Sequence, residues 1–177
     1  MSVKDFILQG LTAQSHSAEI KKMFSDPSIE HAIVSVAFLT SDGISQLKDI
    51  FLNIPKSSHI LVGISNGITS YQGLTDLLSI FKGFYTVDTG GACVLFHPKI
   101  YFLRTADTLK AIIGSANLTR GGLNNNIEAS VYIEIHKSDE NFSELLNKIE
   151  GTINETIADN PDNVKKITSQ SELDDLF

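Results

Sequence analysis

Between Phe96 and Ala129 the chain reads FHPKIYFLRTADTLKAIIGSANLTRGGLNNNIEA, so His97, Lys99, Ser115, Asn117 and Glu128 fall in a stretch that reads as one folded unit. These residue types suit the cleavage of a phosphodiester. A histidine and a lysine two apart in an extended segment project to the same side, because strand side chains repeat with period two, and they can share one ligand. Ile100 to Leu103 and Leu109 to Ile113 read as two apolar strands around the turn-like Thr105-Ala106-Asp107-Thr108. That hairpin returns the Gly-Ser-Ala-Asn end beside the His-Pro-Lys start. The small residues Gly114, Ser115 and Ala116 then let backbone approach a bound phosphate.

In that order and spacing the residues resemble the HKD motif of the phospholipase D superfamily, written H-x-K-x4-D-x6-G-S-x-N with a glutamate further on. His97, Lys99, Gly114, Ser115, Asn117 and Glu128 match it, and the interval from Asn117 to Glu128 is similar to that of the small bacterial nucleases. Arg104 stands where the family has Asp, while Asp107 keeps the six-residue spacing to Gly114. This implies a hairpin tip three residues longer, and the family's Asp is a structural partner. The run Asn117-Leu-Thr-Arg-Gly-Gly-Leu123 further resembles the metal-independent restriction-endonuclease branch. The resemblance implies a phospholipase D-like fold and a phosphohistidine intermediate.

Phosphodiester hydrolysis needs an in-line nucleophile, positive charge around the nonbridging oxygens and a proton for the leaving group. A neutral imidazole can attack phosphorus when a carboxylate holds its other nitrogen protonated, so His97 is the expected nucleophile and Glu128 its orienting partner. Lys99 supplies charge, and the Asn117 amide and Ser115 hydroxyl supply neutral donors. Lys99, Ser115, Asn117 and Gly114 are the expected phosphate-binding set. No step requires a metal or a cofactor. In-line attack leaves the departing oxygen on the far side of phosphorus from His97, so a second acid is needed, and the chain holds one H-x-K and one G-S-x-N. Two chains are therefore expected to combine through the active-site face about a twofold axis, the partner contributing its own motif. Arg104 and Arg120 could also touch phosphate, although a solvated arginine is the default for each.

The elements that must position this motif alternate early in the chain. A helix is expected near Ser17 to Phe24, a strand from His31 to Leu39, a helix from Ile44 to Leu52, a strand from His59 to Ile64, a helix from Tyr71 to Phe81 and a strand from Phe84 to Val87. The motif hairpin follows, then a strand from Ile127 to Ile135 carrying Glu128 and a helix from Asn141 to Ile157. Strand alternating with helix, then paired strands, predicts an α/β fold: a mixed β-sheet flanked by helices on both faces. Residues 1–160 are expected to form a single catalytic domain, and 161–177 an acidic tail.

At 177 residues with 42% hydrophobic content the chain suffices for one well-buried domain. The net charge of −7 is concentrated at the end: residues 1–138 hold 11 Lys/Arg and 11 Asp/Glu, residues 139–177 hold 3 and 10. The catalytic part is thus neutral, free to carry a local basic cleft but without a basic stripe. The single Cys93 excludes an internal disulfide and reads as a buried small hydrophobe. No apolar run reaches 18 residues, so a cytoplasmic setting without membrane contact is expected. An amphipathic helix with a basic polar face is also missing, which favours nucleic acid, DNA foremost, over a phospholipid or other small phosphodiester. A noncatalytic DNA-binding subunit of a defence or repair assembly is a third reading, but all five motif residues are present. Sequence recognition or a helicase activity would belong to a separate partner. Gly63-Ile64-Ser65-Asn66-Gly67 satisfies the G-x-S-x-G pattern of a serine-hydrolase elbow, yet the residues after Ser65 read as loop where that elbow needs a helix. No histidine pair shows metal-ligand spacing.

Overall fold

The apolar runs assemble as strands of one sheet, and the amphipathic segments cover it. In the computed structural model, which describes residues 2–177 other than 66 and 92, the strands are β1 (Ser2–Gln9), β2 (His31–Val36), β3 (His59–Gly63), β4 (Phe84–Val87), β5 (Lys99–Arg104), β6 (Thr108–Gly114), β7 (Glu128–His136) and β8 (Val164–Ile167). The helices are α1 (His16–Phe24), α2 (Ser41–Asn53), α3 (Tyr71–Ile80), α4 (Phe142–Leu146), α5 (Thr152–Asp159) and α6 (Gln170–Asp174). The sheet order is β1-β7-β6-β5-β2-β3-β4-β8. β2, β3 and β4 run parallel, and the other pairings are antiparallel, which is the mixed sheet expected.

Period-two alternation divides the strands between two cores. On β5, Tyr101 and Leu103 face α1, α2 and α3, joining Ile20, Phe24, Leu47, Phe51, Leu74 and Leu77. Ile100 and Phe102 face the opposite side, where Phe142, Leu146 and Ile149 cover them. Helices therefore lie on both faces. The single helix expected from Asn141 to Ile157 is divided: Asn147–Gly151 widens to a π-helical turn between α4 and α5.

Several expectations need correction. The first strand, β1, carries Lys4 and Asp5 and lacks a clean apolar run; its place comes from pairing with β7, in which Gln9 faces Glu128 and Ile7 faces Ser130. β2 stops at Val36 because residues 38–40 turn to bond with 117–118, through Leu118 N–H to Phe38 O at 3.1 Å and Thr40 N–H to Leu118 O at 3.1 Å. Residues 161–177, expected as a tail, instead supply edge strand β8 and helix α6. A Ser169/Glu172 capping box starts α6, and Leu173 is fully buried. Cys93, expected to be buried, is exposed. The tip of the β5–β6 hairpin is the three-residue Thr105–Asp107, closed by Thr105 N–H to Thr108 O at 2.9 Å. Among the described residues no helix is long and apolar enough to cross a membrane.

Candidate active site

Four strand ends meet at one rim of the sheet, where Val36 of β2 faces Lys99 of β5, Ile100 faces Ile113 next to Gly114, and Gly114 of β6 faces Ser130 of β7. That register brings the two halves of the motif together. Lys99 and Tyr101 share a face with Glu128 and Ser130, by strand parity.

His97 lies on the extended lead-in to β5 and is exposed, whereas Lys99 is only 7% exposed. The Lys99 ammonium lies 2.7 Å from His97 Nδ1 and 2.9 Å from Nε2, and also donates to the His97 carbonyl at 3.1 Å. Pro98 between them keeps His97 extended, since a residue before proline is excluded from the helical region. Phe38 walls the pair: its ring meets His97 edge-on at 5.5 Å, and Lys99 Nζ stands 6.0 Å from its centroid. Burial pushes the Lys99 ammonium below its ordinary range, with the Glu128 charge opposing that shift.

The Ser115 hydroxyl donates to Glu128 Oε2 and accepts from Ala129 N–H at 3.0 Å. Asn126 Nδ2 donates to the other Glu128 oxygen at 3.1 Å. Glu128 makes no hydrogen bond to His97, so the five residues form two adjacent groups, His97 with Lys99 and Ser115 with Glu128. Asn117 Oδ1 accepts from Phe38 N–H at 3.0 Å, which fixes the amide and leaves Nδ2 as the free donor end. Two glycines permit this closeness. A Cβ on Gly114 would overlap the Ala129 carbonyl and Ser130, and one on Gly122 would sit 2.5 Å from the Asn117 carbonyl oxygen and 2.7 Å from its nitrogen.

Other candidates fall away from the rim. Arg104 pairs with Glu30 at 2.5 Å and Glu150 at 3.0 Å at the far end of β5, and so it is a structural cation. Arg120 is exposed at the start of the turn after Asn117. Ser65 donates to Asp88, and the next helix, α3, begins only at Tyr71, so the elbow geometry is not met. Position 66 of that motif lies outside the described residues. Among the described residues no group of three or more His, Cys, Asp or Glu could hold a metal ion.

Two residues with no part in the sequence motif lie directly behind the rim. Gln9 and His16 are 1% and 0% exposed. His16 Nε2 is 2.8 Å from Ser130 Oγ, and Gln9 Nε2 reaches three carbonyls of the loop after Asn117. Nothing in the sequence marks them beyond a polar residue at a strand end and a histidine at a helix start.

The comparisons with known proteins bear on the fold and the family. Among solved structures, the chain resembles the phospholipase D family member Nuc from Salmonella typhimurium, with a TM-score of 0.65 at 14% identity, covering 93% of this chain and 99% of that one. NucT from Helicobacter pylori matches with a TM-score of 0.58 at 11% identity, covering 93% and 98%. Polyphosphate kinase from Porphyromonas gingivalis matches with a TM-score of 0.63 at 14% identity, covering 95% of this chain and 24% of that one. At such identities these likenesses establish the fold alone. No curated protein matches the sequence. The family described as the NgoFVII restriction endonuclease N-terminal PLD domain matches residues 18–166, and the chain belongs to that family.

Proposed function

We propose that the chain is a metal-independent endonuclease that hydrolyses DNA through a covalent phosphohistidine on His97, its active site shared across a homodimer. The observation that carries this reading is the convergence of the buried Lys99 ammonium on the exposed His97 imidazole, 2.7 and 2.9 Å from its nitrogens, beside the Ser115–Glu128 pair. A phosphate oxygen entering there takes over the ammonium's hydrogen bonds and releases the imidazole for attack. Glu128 then exchanges the Ser115 hydroxyl for the imidazole N–H and fixes its tautomer, and the freed Ser115 hydroxyl and the Asn117 amide receive the charge that develops on the phosphoryl oxygens.

The bond from phosphorus to the leaving oxygen breaks as the nitrogen–phosphorus bond forms. The partner's His97 protonates the leaving oxygen, and then takes a proton from the water that hydrolyses the phosphohistidine. Side chains fill each role, so no step needs a metal. Sequence recognition, or strand separation by a helicase, would come from a separate partner, in a cytoplasmic setting.

The test is cleavage of single- and double-stranded DNA in excess EDTA, with wild type beside His97→Ala. Cleavage that survives chelation and disappears in a variant that remains dimeric is expected. A fully active His97→Ala protein would sink the assignment.

A further inference from the structure

A buried hydrogen-bonded chain behind the rim links the amino-terminal strand to both halves of the site. Gln9 Oε1 accepts from the His16 backbone N–H at 2.9 Å and faces His16 Nδ1 at 3.2 Å. Its Nε2 donates to the carbonyls of Gly121, Gly122 and Asn126 at 3.3, 3.1 and 3.0 Å. The polarity of this chain follows from its ends. Carbonyls only accept, so the amide nitrogen of Gln9 must face the loop and its oxygen must face His16. Nδ1 then carries the imidazole hydrogen, and Nε2 accepts the Ser130 hydroxyl, 2.8 Å away. Burial holds the His16 imidazolium below its ordinary range, with Glu128 opposing, as a neutral tautomer requires.

Each end of the chain stops beside a residue of the site. Gly122 lies against the Asn117 backbone so closely that it has no room for a Cβ. Asn126 Nδ2 donates to Glu128 Oε1, Gln9 faces Glu128 in the β1–β7 register, and Ser130 faces Gly114. Both Gln9 and His16 precede residue 18, where the family match begins. We propose that Gln9 and His16 are positioning residues for the phosphodiester site, holding the 121–126 loop and the start of β7 so that Asn117 and Glu128 are presented to the substrate. This rests on the reading of the site given above.

The test compares Gln9→Met, which keeps the bulk and removes the polarity, with wild type on bis(p-nitrophenyl) phosphate. Phe142→Leu, on the opposite face of the sheet, is the control for lost stability alone. The expected result is a fall in kcat of about 10²-fold with KM little changed, because misplacing a reacting group by a fraction of an ångström acts on the transition state. Amide exchange supplies a second reading: Leu123, Asn126 and Phe38, whose N–H groups bond Thr119, Gly121 and the Asn117 side chain, should exchange faster in Gln9→Met and not in the control. If Gln9→Met does not fold, Ser130→Ala removes a single hydroxyl from the same chain and takes its place. A variant whose kcat falls no more than the control's, with loop exchange as in wild type, overturns the proposal. If wild type hydrolyses neither this ester nor DNA, the nuclease reading fails instead; exchange alone then decides the clamp, faster loop exchange upholding it and unchanged exchange overturning it.

Discussion

Lys99 is held between two demands. The proposed reaction needs it charged to bind phosphate, yet it is nearly buried and its ammonium is pushed below the ordinary range by that burial. A donor already stripped of water and aimed at the site costs little reorganisation when charge develops, which is where such groups act most strongly. Lys99→Met is expected to lower the single-turnover rate by roughly 10²–10³-fold while the far-ultraviolet circular dichroism stays unchanged. Lys99→Arg should not restore it, because a planar guanidinium cannot occupy the point position beside both imidazole nitrogens. The gathering of His97, Lys99, Ser115, Asn117 and Glu128 at one rim of the sheet was legible in the sequence because their placement depends on local rules, strand parity and one hairpin. Gln9 and His16 were not, since their meaning arises only when β1 pairs with β7. The partners of Glu128 were also hidden: Ser115 and Asn126 reach it through cross-strand register and loop closure.

At the level of elements, the strands and helices with strong apolar periodicity were readable, and those stabilised by distant pairing were not. β8 is two apolar residues flanking Lys165 and Lys166, exposed at the sheet edge, and so it resembles any acidic or mixed tail in composition. α6 did leave a local signal, Ser169 followed three residues later by Glu172, the capping box seen in the structure. Burial of Leu173 against the α1–α3 core makes this terminal segment part of the fold. Leu173→Ala is expected to destabilise the protein by about 2–5 kcal/mol, the usual cost of removing a buried leucine side chain. A lowered urea midpoint would show it; an unchanged midpoint would return residues 161–177 to the status of a tail.

For the molecule as a whole, the proposed site, which takes His97 from each of two chains, would respond to mixing in a distinctive way. Wild type and His97→Ala chains co-expressed at equal levels and assorting at random should retain about a quarter of the activity, since only dimers with two intact chains work; retention of half would mean that each chain acts alone. Stability should also depend on pH. His16 and His59 both have imidazolium pKa values lowered chiefly by burial, so the unfolded chain binds protons that the folded one refuses. Stability is then complete above the unfolded histidine value of about 6.5 and declines as pH falls from there through the lowered folded values. Urea midpoints between pH 7.5 and 5 should record this, with a shallower slope in His16→Gln, a flat wild-type profile counting against it. The pairing of β1 with β7 also carries a consequence in time. A ribosome adding ~5–20 residues per second makes Gln9 roughly 6–24 s before its partner Glu128, and until then the Gln9 amide has no loop carbonyls to donate to. The clamp behind His97 thus orders only after residue 126 has been made, and the proposed site cannot assemble before then.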